Sequence, residues 1–270
     1  MVEPSEPGIL GIVGGMGPGS AILLYDGVIR MFQQHKSTIR NNQFPRVHVH
    51  SPTPIDNIES FRDHGVLSSL TESIEFLNAA GSTVIAIPCN TVHRFLPELQ
   101  TASPVPILDM INLTARKIIE DDRGRALLLA TRKTLASGLY QTILLRERLE
   151  VNIPDGKEQT LIDEIILSIN GGIFTATQAT SLNEFIVNAN REGVDCVVLG
   201  CTELSAYARS SYVAHFEKPD RLLYDSLDIL VHETYQTLSG SAGRIEHHCN
   251  EERSVDDKGR RCPLQAAAEE

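Results

Sequence analysis

Short apolar segments alternate with amphipathic helical stretches along most of this chain, and the alternation begins twice. The first series opens with an apolar strand at 8–14, a helix at about 19–33 and a second strand at 47–50. A strand at 84–87 follows, and then 105–108, whose prolines suggest a sheet edge. Because a β-α-β-α order places parallel strands in one sheet with helices on both faces, this half predicts an open α/β unit.

The second series repeats the pattern. It starts with a strand at 126–130, continues with a helix at 135–149 and a strand at 196–199, and closes with a helix at 226–238. The chain has 270 residues, which is enough for two such halves. We therefore predict two similar α/β halves with a cleft between them and a boundary near Asn112.

The predicted domain boundaries depend on the half against which the last helix packs. We expect it to return to the first half, so that the first domain comprises 8–112 and 215–238 and the second comprises 113–214. Residues 239–270 lose the periodic pattern and are predicted to form a disordered tail. Cys249 and Cys262 lie in that tail and are expected to be exposed thiols without a catalytic role.

Composition and charge exclude several classes of protein. The formal net charge is −11, and the lysines and arginines form no basic stripe, so no nucleic-acid partner is expected. No apolar run has the length of a membrane span, and residues 1–8 do not resemble a secretory leader, so we expect a cytoplasmic protein without a membrane partner. The five cysteines show neither a disulfide framework nor the spacing of a zinc site, so no metal is expected.

Two strand ends carry the same arrangement of residues. The strand at 84–87 runs into Pro88 and then Cys89, and the strand at 196–199 runs into Gly200 and then Cys201. In open α/β sheets, ligands bind at the carboxyl ends of the strands. Each half is therefore predicted to present one thiol at that edge, and if the halves face each other, the two thiols face each other too.

Two opposed thiols suit the exchange of a proton between the two faces of a carbon atom. A thiolate on one side can remove a proton while a thiol on the other side returns one. Asn90, Thr91 and Thr202 follow the cysteines at predicted helix starts, where they could cap the helix and hold a substrate carboxylate. The alternative is that each cysteine is a buried core residue. Cys196 lies inside a strand and is expected to pack in the core.

Two further strand ends carry candidate binding residues, and each has an ordinary structural interpretation as well. The glycine-rich segment 14–20 lets a backbone approach a ligand closely, or it is a tight turn. It has neither the ending of a phosphate-binding Walker loop nor the spacing of a dinucleotide site. The segment 130–134 offers Thr131, Arg132, Lys133 and Thr134 to a carboxylate, or it is a solvated helix start capped by one of its threonines.

Taken together, these motifs resemble the aspartate/glutamate racemase family, whose members act on amino acids without pyridoxal phosphate. The resemblance covers about 8–238 and keeps the order of the family's motifs. These are Gly-Gly-Met-Gly-Pro at 14–18, Pro-Cys-Asn-Thr-Val-His at 88–93, Leu-Leu-Ala-Thr at 128–131, Ser-Gly-Leu-Tyr at 137–140 and Gly-Cys-Thr-Glu-Leu at 200–204.

The resemblance implies a fold and a set of roles. It implies two α/β domains related by a pseudo-twofold axis, with the active site in the cleft between them and, in many members, a homodimer. It implies an enzyme that needs no cofactor and acts on an amino acid as its small-molecule substrate, with acidic amino acids favoured. It implies that Cys89 and Cys201 are the catalytic pair. The residues that it implies for substrate binding, together with Thr134 from the strand-end pattern, are Met16, Gly17, Asn90, Thr91, Thr131 and Thr202.

The chain departs from the family at the residues that would hold a substrate's side-chain carboxylate. Aspartate racemases carry an arginine after the second strand, where this chain has Asn57. Members often have a lysine after a Glu-Gln pair, where this chain has Thr160, and Lys133 stands in place of a usual glycine. The side-chain preference is therefore left open, with Arg132 and Lys133 as a substitute anchor to test.

Two rival functions remain open at this level. One is another isomerase of the same superfamily, of the hydantoin racemase or maleate isomerase type. The other is an amino-acid-binding module of the same two-lobed shape without catalytic activity, an interpretation that leaves both thiols unexplained.

Overall fold

The protein is an α/β molecule with two separate parallel sheets. A computed structural model describes residues 8–36, 40–52, 63–191, 193–208 and 222–240. Asn57 and most of the predicted tail, with Cys249 and Cys262, lie outside these ranges. Within them the strands are Ile9–Val13 (β1), Arg46–His50 (β2), Val84–Ala86 (β3), Arg125–Leu129 (β4), Glu150–Asn152 (β5), Cys196–Leu199 (β6) and Leu222–Asp225 (β7).

Helices flank both sheets, and two short 3-10 segments lie in the first half, at Asn41–Gln43 and Asn90–Phe95. Among the described residues, the α-helices are Pro18–Lys36 (α1), Asp63–Ala79 (α2), Leu96–Thr101 (α3), Met110–Glu120 (α4), Arg132–Ser137 (α5), Leu139–Arg146 (α6), Gly156–Asn170 (α7), Ala176–Arg191 (α8), Thr202–Ala208 (α9) and Ser226–Ser239 (α10). None of these helices combines the length and the apolar character that crossing a bilayer requires.

The two sheets share one strand order. The first is β2-β1-β3 and the second is β5-β4-β6-β7, with every pair parallel. In each half, the chain therefore forms a first strand, adds the second on one side and places the third on the other. This reversal creates a crevice at the carboxyl ends of the first and third strands, where open α/β sheets bind ligands. The predicted α/β fold of two similar parallel-sheet halves is confirmed.

The edge of the first sheet is shorter than predicted. Residues 105–108 form a single parallel bridge, between Ile107 and Ile85 of β3, and not a full strand. The bridge is held by hydrogen bonds from Ile85 N to Pro106 O and from Leu108 N to Ile85 O, both at 2.9 Å. Proline lacks a backbone N–H, so this segment cannot extend a regular ladder.

The last strand and the last helix belong to different halves. The prediction placed all of 215–238 in the first domain, but β7 pairs with β6 in the second sheet. Helix α10 does return, because its Leu227 and Leu230 share a core with Leu10 and Ile12 of β1. The chain therefore passes from the second half to the first where β7 meets α10.

Helix α4 was not predicted, since the sequence was divided within it. Its Met110 packs in the core of the first half, and its Ile111 and Ile118 pack in a core of the second. The predicted helix at 135–149 is in fact two helices, because Gly138 adopts a φ of 65° and ends α5 before α6 begins. Glycine adopts this left-handed conformation at little cost, which makes it a common helix terminator.

Candidate active site

Cys89 and Cys201 lie just beyond the third strand of their respective halves. Cys89 follows β3 after Ile87 and Pro88, and Cys201 follows β6 after Gly200. Gly200 packs tightly, because a Cβ there would come within 2.8 Å of the Leu128 side chain. Cys89 is 7% exposed and Cys201 is 5% exposed. Both thiols therefore stand at the carboxyl edge of a sheet, nearly shielded from bulk water.

The two thiols are close enough to influence each other electrically. A negative charge on Cys89 raises the pKa of Cys201, and the charge of Glu203 raises the pKa of both thiols. Printed contacts link their surroundings: Glu203, which accepts a hydrogen bond from Cys201, lies against Gly17, and the adjacent Met16 packs in the cluster of Cys89. Both cysteines therefore border the same glycine turn.

Burial favours the thiol form of both cysteines. Burial raises the pKa of Cys89 to about 12, and the charge of Glu203 adds to the rise, whereas Arg94 and nearby backbone N–H groups oppose it. The pKa of Cys201 is raised well above its usual value, first by burial and then by the charge and the hydrogen bond of Glu203. The two pKa shifts thus share their two leading causes, burial and the charge of Glu203.

Glu203 lies beside Cys201, and the sequence motif that contains it predicts no role for this residue. The thiol of Cys201 donates a hydrogen bond to Glu203 Oε2 at 3.0 Å. The other carboxylate oxygen lies against Gly17, where an added Cβ would overlap Oε1. Its position in the sequence, two residues after a cysteine at a strand end, is the feature that could have identified it.

The glycine-rich segment after β1 is a tight turn that packs against Glu203. Gly15 and Gly17 each have a φ of 85°, a conformation that favours glycine. Met16 between them is buried in the same apolar cluster as Cys89. Ser20, at the start of α1, donates a hydrogen bond to Thr202 Oγ1 at 2.7 Å and so links the two halves.

Three threonine hydroxyls form a triangle between the halves. Thr91 Oγ1 is 3.0 Å from Thr131 Oγ1 and 2.9 Å from Thr134 Oγ1, and the last two are 3.1 Å apart. Thr131 also caps α5, since it accepts a hydrogen bond from Thr134 N. Each hydroxyl has one proton to donate and can rotate. The triangle can therefore redirect its protons to an anionic oxygen that enters beside it.

Asn90 is fixed by a buried chain of hydrogen bonds. The hydroxyl of Tyr140 donates to Asn90 Oδ1 at 2.7 Å, and Asn90 Nδ2 donates to Ser226 Oγ at 3.0 Å. Ser226 in turn donates to Leu199 O at 2.8 Å. Tyr140 and Ser226 are completely buried, and Asn90 is 3% exposed. The sequence did not reveal this chain, because its members come from four separate segments.

The ring of His93 links the backbone at Cys89 to the backbone at Met110. Met110 N donates to His93 Nε2 at 3.1 Å, so the ring proton is on Nδ1. Nδ1 lies 2.8 Å from Cys89 O and donates to it. Burial lowers the pKa of His93, which favours the neutral ring over the charged one. The histidine therefore positions the cysteine's carbonyl and does not supply a charge.

Arg132 is engaged within its own half. Its Nε donates to Asp163 Oδ2 at 2.6 Å, and one terminal nitrogen donates to Thr160 Oγ1 at 3.2 Å. The carboxylate of Asp163 offsets the guanidinium charge. Thr160, which replaces the family's lysine, is thus in contact with an arginine that is already paired.

The sequence of the chain matches one family model over most of its length. Residues 13–234 match the model described as Asp/Glu/Hydantoin racemase. The chain is 28% identical over 200 residues to the broad specificity amino-acid racemase RacX of Bacillus subtilis, covering 73% of this chain and 86% of that protein. It is 24% identical over 213 residues to the glutamate racemase of Syntrophus aciditrophicus, covering 74% of this chain and 75% of that protein.

Solved structures share the fold. The aspartate racemase of Picrophilus torridus superposes with a TM-score of 0.71 at 24% identity, covering 86% of this chain and 94% of that one. An aspartate racemase homologue from Pyrococcus horikoshii gives a TM-score of 0.66 at 24% identity, covering 85% and 98% respectively. Since the matched family model runs from the end of β1 into α10, the chain belongs to the Asp/Glu/Hydantoin racemase family.

Proposed function

We propose that this chain is an amino-acid racemase in which Cys89 and Cys201 exchange the α-proton of the substrate without a cofactor. Family membership and the named relatives support an isomerase that acts on amino acids. The observation that supports the two-thiol mechanism is the placement of one buried cysteine just beyond the third strand of each half. Further expectations from the sequence, a cytoplasmic location and a homodimer, are part of the same proposal.

The proposed reaction conserves protons over one turnover. A thiolate on one face takes the α-proton, so that the C–H bond breaks, an S–H bond forms and the electron pair remains on the α-carbon and its carboxylate. The thiol on the other face then gives its proton to that carbon, so that its S–H bond breaks and it becomes the thiolate. The product is the opposite enantiomer, and the two sulfurs have exchanged roles, which suits acid–base catalysis in both directions.

The threonine triangle is the proposed site of the α-carboxylate. Thr91, Thr131 and Thr134 present their hydroxyls at 2.9–3.1 Å from one another beside the Cys89 turn. Hydrogen bonds to a carboxylate stabilise it, and they also favour the negative charge that spreads onto it when the α-proton leaves. Met16, Gly17, Asn90 and Thr202 complete the proposed pocket wall.

The side-chain preference is proposed to be broad and not restricted to acidic amino acids. Arg132 is paired with Asp163, so it offers a substrate carboxylate less than an unpaired arginine would. Thr160 can accept or donate a hydrogen bond but carries no charge. A charged hydrogen bond contributes about 1.5–3 kcal/mol, so aspartate would gain less here than in an enzyme with both family cations.

The function is tested by α-proton exchange. The wild-type protein is incubated in D₂O with each L-amino acid and, separately, with a 5-substituted hydantoin and with maleate, and the reaction is followed by NMR. We expect exchange and loss of optical purity for one or more amino acids, with neither added pyridoxal phosphate nor metal required. The double Cys89→Ser/Cys201→Ser variant is the control and should be inactive. Activity on hydantoin or maleate alone would favour the rival isomerases, and binding without exchange would favour the binding module.

A second prediction concerns the hydrogen-bond chain through Asn90. Tyr140→Phe removes the donor to Asn90 Oδ1 and leaves a buried carbonyl oxygen unsatisfied, which should cost about 1–3 kcal/mol of unfolding free energy. The amide beside Cys89 is then free to turn. We expect kcat to fall about tenfold, equivalent to ~1.4 kcal/mol of barrier. Steady-state kinetics and thermal unfolding measure the two effects separately.

Tyr224 provides the matched control for that variant. It is buried in the same cluster as Tyr140, but its hydroxyl donates to Asp121 Oδ2 at 2.7 Å, away from the thiols. Tyr224→Phe should lower stability to a similar degree while kcat stays at the wild-type value. If both variants lose the same fraction of kcat, Tyr140 acts on stability alone and does not position Asn90.

A further inference from the structure

We propose that Glu203 binds the α-ammonium group of the substrate and thereby selects α-amino acids over acids that lack an amine at that position. This inference rests on the proposed function, since it assigns the recognition of one substrate group within the same site. It concerns a residue for which the two-thiol mechanism has no use.

The placement of Glu203 is the first step. It is partly buried in the first turn of α9, with Oε2 at 3.0 Å from Cys201 Sγ and 3.5 Å from Thr202 Oγ1. Its other oxygen lies against the glycine turn at Gly17, where the lack of a side chain leaves room for it. The carboxylate thus lies next to one thiol and close enough to the other to affect its pKa.

The second step is charge. In the part of the chain that the structure describes, the hydrogen-bond partners of Glu203 are a thiol and a hydroxyl, both of them neutral. A partly buried carboxylate is stabilised when a cation joins it. An ammonium group supplies one positive charge and three N–H donors, and so provides the partner that the site lacks.

The third step is the arrangement of the whole site. The α-carbon of a zwitterionic amino acid carries four different substituents: a carboxylate, an ammonium, a side chain and a hydrogen. The threonine triangle, which includes Thr91 two residues after Cys89, serves the carboxylate in this proposal, and Glu203, which contacts Cys201, serves the ammonium. The two thiols then flank the position of the hydrogen on either face.

Binding of the ammonium would also prepare the thiols for reaction. Burial and then the charge of Glu203 raise the pKa of Cys89 and of Cys201. A bound ammonium neutralises that charge and adds its own attraction for a thiolate, so the pKa of both thiols falls. One thiol then releases its proton to water. A 2-hydroxy acid brings no such charge and leaves the thiols protonated.

The test compares two ligands that differ only in the amine. L-Alanine and L-lactate form one pair and L-aspartate and L-malate form another, with affinities measured by calorimetry for the wild type and for Glu203→Gln. The wild type should bind the amino acid of at least one pair more tightly than the hydroxy acid by about 10- to 100-fold, as expected for a charge-assisted hydrogen bond. Glu203→Gln should reduce that preference to about threefold or less, through weaker binding of the amino acid.

Two further measurements distinguish a loss of amine recognition from misfolding of the variant. Glu203→Asp retains the charge on a shorter arm and should keep part of the preference. In the wild type, the ultraviolet absorbance of thiolate should rise when the amino acid is added and should not rise with the hydroxy acid. Glu98→Gln is the matched control, because Glu98 is an exposed acid in the first turn of α3, after the other cysteine's turn, and should leave the preference intact.

The outcomes separate this inference from the proposed function. If folded Glu203→Gln keeps the wild-type preference, or if the wild type binds no amino acid more tightly than its hydroxy acid, Glu203 does not recognise the amine, whether or not racemisation occurs. If the preference depends on Glu203 but the wild type exchanges no α-proton, recognition of the amine stands and the racemase proposal fails.

Discussion

Replacing either Cys89 or Cys201 by serine is expected to reduce racemisation by about 10²- to 10⁴-fold, the usual contribution of a general acid or base. Serine keeps the size and hydrogen-bonding capacity of the thiol, but its hydroxyl is a far weaker acid and does not form the anion near neutral pH. Racemisation needs one group on each face of the α-carbon, so either loss suffices. Optical rotation of a single enantiomer under saturating conditions measures the rate.

Each single variant should nevertheless retain one half of the reaction. The remaining cysteine can take the α-proton from its own face and return a deuteron from solvent to the same face. Cys89→Ser and Cys201→Ser should therefore exchange the α-proton of opposite enantiomers in D₂O. A shared preference would contradict the placement of one thiol on each face, even if both variants fail to racemise.

Cys196 provides the internal control for the thiol variants. It lies inside β6, is completely buried, and belongs to an apolar cluster with Ala126 and Val198. Cys196→Ser should retain turnover if it folds, and circular dichroism of all three variants verifies that they do. Wild-type racemisation by a folded Cys89→Ser or Cys201→Ser protein would leave that cysteine as a core residue only.

The strands that hold the thiols were predictable because their signal is local. Strand β6 begins and ends at the residues that the apolar run predicted, and β3 differs from its prediction by a single residue. Strand β6 lies between β4 and β7, and β3 lies between β1 and the bridge at Ile107, and every residue in both strands is buried. The rule that ligands bind at the carboxyl ends of parallel strands then leads directly to Cys89 and Cys201.

Two of the errors, at α4 and β7, occur where the fold depends on contacts between the halves. Helix α4 was overlooked because it serves two cores at once, with Met110 in one and Ile118 in the other. The strand β7 was assigned to the wrong half because a four-residue apolar segment carries no information about which edge it joins. Only its pairing with β6 decides that.

The candidate site is likewise hard to predict from sequence where its contacts join distant segments. Thr131 and Thr134 were candidates from their own strand end, but the triangle needs Thr91 from the other half, and the sequence does not reveal that distance. The motifs that contain Glu203 and Tyr140 predict no role for either residue, because Glu203 lies against Gly17 and Tyr140 bonds Asn90, and both contacts join segments that are far apart in the chain. Arg132 was considered as a substrate anchor, and its pairing with Asp163 could not be foreseen from local sequence.

The threonine triangle is expected to control substrate affinity more than turnover. Thr91→Val and Thr134→Val each replace a hydroxyl by a methyl group of the same shape and remove one proposed donor to the α-carboxylate. A hydrogen bond to a charged group contributes about 1.5–3 kcal/mol, so KM should rise about 10- to 100-fold with a smaller change in kcat. Thr131 is less informative, because its variant would also lose the cap of α5 at a cost of about 1 kcal/mol.

Thr234 is the matched control for this pair, since it is completely buried in α10 and its hydroxyl donates to Leu230 O at 2.7 Å within its own helix. Thr234→Val should leave KM unchanged.

The double Thr91→Val/Thr134→Val variant should lose less affinity than the two single losses combined, because hydroxyls 2.9 Å apart share one ligand and one network. The amides of the same amino acids, which lack the carboxylate charge, should bind the wild type and the variants almost equally. An unchanged KM in folded Thr91→Val and Thr134→Val would exclude the triangle as the carboxylate site, and a loss of affinity equal for acid and amide would show that the hydroxyls shape the pocket without recognising the charge.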